Sequence, residues 1–315
     1  MMDPIAIDAL PAEEFGVGLQ AGLLALVVGA VAGLGWRLFR GTPLPAAGLL
    51  LAGGAAWGLR EAVVLPPGLV EGLTALAGAG LVASILPRPE VVGPILAVPG
   101  AWILAFRADV VEVDWIRALV AAAAVVGGML VADFDRKWRT TGFSPVLMCV
   151  AAVGLYFTVP DTEQATVLLA VALPLSLLGG PPALARLGSA GSYAAAGLVA
   201  WTAAAGGVGR PSSIVGGVAC LGLLIIEPLA RALSPAGGSL LGAVERRWWG
   251  VVPVATGQLL LVFIASRWAG LQPATGEAVL IIVIELAVAM AIIVGYTRLP
   301  SAQAGVARLP REGEG

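Results

Sequence analysis

The chain has 315 residues, of which 59% are hydrophobic and only 12% charged, with a mean hydropathy of +0.95. That is too little charged surface for a soluble domain of this length, and long apolar runs broken by Gly, Pro and a few charges mark a polytopic helical membrane protein. A net charge of −2 with a single lysine offers no footprint for nucleic acid, and the short alternating segments of an outer-membrane barrel are absent.

The acidic N-terminus, 1–16, lacks the basic start of a secretory signal, so the first apolar run is expected to be a retained span. Apolar runs predict spans near 17–35, 46–65, 68–86, 91–106, 116–132, 143–159, 165–180, 189–208, 212–230, 250–268 and 278–297. This makes an all-α polytopic transmembrane helix bundle of about eleven spans, within a range of ten to twelve, forming one transmembrane domain. Residues 46–86 hold Arg60, Glu61, Pro66 and Pro67 and read as either a tight hairpin or a re-entrant pair. The stretch 231–249, with Glu245, Arg246, Arg247 and paired tryptophans, is expected to lie in the interface as an anchor, and 299–315 to form a short cytoplasmic tail.

Paired glycines at Gly53–Gly54, Gly127–Gly128, Gly206–Gly207 and Gly216–Gly217, and the Gly29-x-x-x-Gly33 spacing, are read as close helix packing with no dimer motif implied. A basic Trp entry, a span and an acidic turn occur at Asp135–Glu163 and again at Glu245–Glu277. This echo is compatible with a duplication or with any two membrane hairpins.

Sidedness follows from the cations. With the N-terminus outside and eleven spans, thirteen Lys and Arg fall on cytoplasmic segments, against Arg107, Arg210 and Arg267 outside. The thirteen include Arg37, Arg40, Arg88, the Arg136-Lys137-Arg139 cluster and Arg186. The acids lean the other way, with Asp109, Glu112, Asp114, Asp161 and Glu163 among the outer ones. Asp114 is expected to pair with Arg117 at i,i+3, and the outer carboxylates read as a cation-attracting rim or as what remains once cations are kept inside. The N-terminus is therefore expected outside and the C-terminus inside.

Glu285 is the leading candidate for chemistry. It lies in the apolar run 278–295, where a carboxylate must be protonated, paired or facing water. Its helical face includes Ile281, Ile282, Ala289, Ile292 and Tyr296, so a polar partner has to come from another helix. It reads as a proton- or cation-linked site, or as a neutral acid bonded to a neighbouring backbone or to Arg60. Arg60 in turn either snorkels to the outer interface beside Trp57 or meets Glu285. The binding set is therefore Glu285, Arg60 and Tyr296.

Glu61, adjacent to Arg60, points away from it, and Glu227 stands four residues before Arg231 as an ordinary helical ion pair. Asp133 and Asp135 invite an enzyme reading in which the two carboxylates hold Mg²⁺ against a lipid-linked substrate. That reading needs both to converge on an open pocket; the following Arg-Lys-Trp-Arg neutralises them on the plainer reading. There is no histidine, and Cys149 and Cys220 sit in apolar runs without a CxxC spacing and read as packing residues. No catalytic residue, metal or cofactor is expected.

The Asp133-Phe-Asp135-Arg136 and Val159-Pro-Asp-Thr-Glu163 elements, with Gly216-Gly-Val-Ala-Cys220, are similar to integral membrane proteins of high-GC actinobacteria. The resemblance covers the second half of the chain and implies a cell-envelope setting without a mechanism. The expected protein is a multi-pass resident of the cytoplasmic membrane that transports a small solute or a lipid-linked precursor. The alternatives are a non-catalytic subunit packed against other envelope proteins or a second copy, and then an enzyme on a lipid-linked substrate. The partners implied are the lipid bilayer and other membrane proteins.

Overall fold

The computed structural model describes residues 12–41, 67–108, 114–137, 177–178, 184 and 186–207, with the single positions 280, 283, 284, 287 and 291. Five long helices fall in these residues: α1 (Ala12–Arg40), α2 (Pro67–Ile85), α3 (Pro89–Arg107), α4 (Asp114–Lys137) and α5 (Gly188–Gly207). No strand occurs among the described residues. The helices α1 to α4 each contain a stretch long and apolar enough to cross a membrane.

Local chemistry sets the ends. α1 stops at Gly41, whose positive φ of 67° lets its N–H reach back to the carbonyl of Arg37 at 2.9 Å, a left-handed C-terminal cap. Arg37 and Arg40 in that last turn complement the helix dipole, and Arg40 lies over the Trp36 ring at 6.0 Å. α1 is 29 residues long, about 43 Å, so it runs well past a hydrocarbon core of about 30 Å.

α2 and α3 both open on proline, which has no N–H to leave unsatisfied at a first turn. Between them Leu86, Pro87 and Arg88 make the whole connection. Arg88 pays for that tight turn with a left-handed backbone, φ 59° and ψ 59°. Arg88→Asn should therefore raise stability by about 0.5 to 1 kcal/mol, since Asn tolerates this region. Arg88→Ala, which keeps an ordinary Cβ, should give no such gain in thermal unfolding in detergent.

The four helices α2 to α5 form a ring, each packed on the next, with a smaller contact between α3 and α5 across the middle. Short links make α2, α3 and α4 alternate in direction. α5 then runs antiparallel to α4 and α2: its start lies by Asp135 and Gly80, and Ala200 farther along packs with Ala105 and Val120. This is an up-and-down arrangement with α5 as its most enclosed member.

Every residue from Ala190 to Thr202 is buried. The sequence of α5 permits this because Ala and Gly dominate it, so neighbouring backbones can close in from all sides. Two of its buried hydroxyls are satisfied locally, Ser192 on the carbonyl of Gly188 at 2.7 Å and Thr202 on that of Leu198 at 2.8 Å.

The outer faces are apolar and uncovered. Val91, Ile95, Val98 and Trp102 follow one another at helical spacing on α3, as do Leu23, Val27, Val31, Leu34 and Leu38 on α1, all exposed. Stripes of this length on an exposed surface belong against lipid.

The two ends of the ring differ in charge. One end carries Arg88, Arg136 and Arg186 beside Glu90, Asp133 and Asp135; α1 adds Arg37 and Arg40 to it, since Gly33 approaches Leu184 just before α5. We call this the basic end. The other carries Glu71 and Asp114 together with Arg107 and Arg117. There Arg107 meets Glu71 at 2.8 Å, and the expected Asp114–Arg117 pair is present at 3.4 Å. Trp102 stacks on Phe106 at 3.9 Å with Arg117 over the Phe106 ring, the kind of aromatic and cationic anchor found at headgroup level.

Candidate functional site: a cleft at the basic end

The last turns of α4 carry Asp133, Asp135 and Arg136. Residues two apart on a helix diverge by about 200°, so the two carboxylates cannot serve one ligand unless the helix breaks, and α4 does not. Asp135 turns inward. It is 9% exposed, and its Oδ2 accepts a hydrogen bond from the backbone N–H of Gly188 at 3.1 Å, the first residue of α5. A carboxylate at a helix N-terminus meets both an unsatisfied donor and the positive end of the dipole. Asp135 is thus the cap of a helix more than fifty residues away in sequence, a role that sequence reasoning missed.

Asp133 faces elsewhere. With Arg136 it lines a cleft of about 160 Å³ between α3, α4 and α5, whose other walls are Pro89, Glu90, Met129, Leu130, Ala132, Ser189 and Tyr193. Arg136 donates to Glu90 Oε2 at 3.1 Å, tying the end of α4 to the start of α3. Both partners are partly exposed, so this bridge orients the two helices more than it stabilises them. The convergence of Asp133 and Asp135 that a two-carboxylate enzyme needs is therefore not present. No group of three or more potential metal-ligating side chains occurs among the described residues.

Tyr193 forms the floor and is 2% exposed. Its ring lies directly over Gly128 of α4, and its hydroxyl reaches Gly93 of α3, where a Cβ would fall 2.7 Å from it. A Cβ at the neighbouring Gly127 would come 3.3 Å from the Ala196 methyl, so the glycine pair meets two successive turns of α5. Close packing, as expected of this pair, is its role. Gly33 of the GxxxG spacing likewise packs within the chain, on Leu184.

Glu285, Arg60, Tyr296, Glu61 and Glu227 lie outside the described residues. In the stretch around Glu285, the described positions Leu280, Val283, Ile284, Ala287 and Ala291 are helical and all exposed. They form a single stripe at spacings of three and four. Glu90, Ser189 and Tyr193, which the sequence reading did not single out, join Asp133 and Arg136 only through tertiary packing. No family model matches the chain, and no curated protein is similar to it.

Proposed function

We propose that the protein is a multi-pass carrier of the cytoplasmic membrane, moving a small solute or a lipid-linked precursor with Glu285 as its proton- or cation-exchanging group. In this reading the chain has about eleven spans with the N-terminus outside, and Arg60 and Tyr296 stand near Glu285. The observation that carries it is the exposed stripe Leu280, Val283, Ile284, Ala287 and Ala291. On a continuous helix, position 285 would stand about 140° round from the middle of that stripe, away from its exposed side. A carboxylate on that side would escape lipid.

A second reading, a non-catalytic subunit of an envelope complex, draws on the close packing of α2 to α5, with Ala190 to Thr202 of α5 buried throughout. One experiment separates the two. Proteoliposomes loaded with a pH-sensitive dye are challenged with sugars, amino acids and polyprenyl phosphates in turn. The carrier reading expects one class to drive proton entry, and Glu285→Gln to reduce that flux at least about tenfold, the scale of a lost charge-specific step of ~1.4 kcal/mol or more. Absence of coupled flux in the unaltered protein, or an unchanged flux in Glu285→Gln, would leave the subunit reading.

A further inference from the structure

Polarity in the cleft changes in order along α4. Glu90, Asp133 and Arg136 stand at its mouth, while Met129, Leu130 and the Tyr193 ring line it farther in. Arg136 and Met129 are seven positions apart, so charge gives way to hydrocarbon within about 10 Å. Val126, one turn beyond Leu130, is exposed on the outside of the bundle and continues the apolar path. A solute dissolved in water has no matching gradient; an amphiphile lying along the helices does. The cleft also sits at the charged end of membrane-length helices, where lipid headgroups would be.

Its charges narrow the ligand further. The mouth presents both signs, two carboxylates and one guanidinium, which matches a head that itself carries both a cation and an anion. A quaternary ammonium has no N–H to give to Glu90 or Asp133. A primary ammonium has three donors, and a carboxylate accepts about four hydrogen bonds, so the present bonds of these side chains can persist beside a new one. Arg136 has five N–H donors and uses NH1 on Glu90, which keeps others for a phosphate oxygen. At about 160 Å³ the space falls below the ~300–1,000 Å³ of sites that enclose a whole small molecule, and suits a headgroup whose chains remain outside.

The geometry points to a phosphate ester of a primary-amine alcohol as the occupant, supplied as the head of an ethanolamine phospholipid. The ammonium lies between Glu90 and Asp133, the phosphate lies on Arg136, and the first methylenes pass over Met129 and Leu130. This site is independent of Glu285 and of any transport, because lipid retention requires no flux.

The test is native mass spectrometry of the full chain in mild detergent, incubated with equal amounts of phosphatidylethanolamine, phosphatidylcholine and phosphatidylglycerol. The protein should retain the ethanolamine lipid about tenfold over the other two, the worth of one charge-assisted hydrogen bond. Asp133→Asn should bring it down to the level of the choline lipid. Glu90→Gln, on an exposed carboxylate, gives a second measurement that does not depend on how well the first variant folds. Equal retention of all three lipids, or a preference that persists in both variants, overturns the assignment. Adding glycerophosphoethanolamine identifies the source: displacement of the lipid shows that the free head suffices, and retention shows that the acyl chains are needed.

Discussion

Asp135→Ala is expected to destabilise the protein by about 2 kcal/mol, read as a fall of roughly 5 °C in the unfolding midpoint in detergent. Removing this carboxylate leaves the N–H of Gly188 without its acceptor in a place where Asp135 is only 9% exposed, so water replaces it poorly. It also withdraws a negative charge from the positive end of α5. Asp135→Asn keeps an oxygen acceptor and loses the charge, and should cost about half as much. The order Ala worse than Asn at position 135 is specific to a cap. Equal losses from Ala and Asn at 135, or none from either, would remove that role.

The larger effect is expected at Gly128. A Cβ there would enter the ring of Tyr193, and the ring cannot swing aside because its hydroxyl already abuts Gly93 of α3. Gly128→Val should cost about 3 kcal/mol or more, enough to lose most folded protein on extraction. Gly128→Ala is the more informative change. It gains up to about 1 kcal/mol in helix propensity and still loses stability, because the clash outweighs the gain. Combining it with Tyr193→Leu should recover part of the loss, giving a non-additive pair. Strict additivity of the two substitutions would show that Gly128 does not seat this ring.

Among the described residues, helix existence was legible from apolar run length alone. Spans expected at 68–86, 91–106 and 189–208 correspond to Pro67–Ile85, Pro89–Arg107 and Gly188–Gly207, within one or two residues at each end. The misses are at the long helices. α1 runs five residues beyond the expected 17–35 at each end, and α4 continues five past 132, because hydropathy marks where lipid stops and helical hydrogen bonding does not stop there. Close packing at Gly127–Gly128 was readable from the residue type, though its partner was not.

The fate of Asp135 was hidden for a different reason. Its acceptor role depends on Gly188, and nothing local to residues 133–139 points across the intervening chain. The cleft escaped notice likewise, since Glu90, Asp133 and Tyr193 come from three helices and none is unusual in its own neighbourhood. A carboxylate in an apolar run, such as Glu285, attracts attention because its surroundings are sequence-local; a site assembled between helices has no such signal.

The enclosure of α5 changes what the word solvent means for it. α1 to α4 carry stretches apolar enough to dissolve in acyl chains, and α5, rich in Gly, Ala, Ser and Thr, does not reach that composition. From Ala190 to Thr202 its surroundings are other helices. It follows that bilayer thickness and acyl composition act on α2, α3 and α4 directly and on α5 only at second hand, through the shape those helices hold. The most deeply seated of the described helices is thus the one most insulated from lipid.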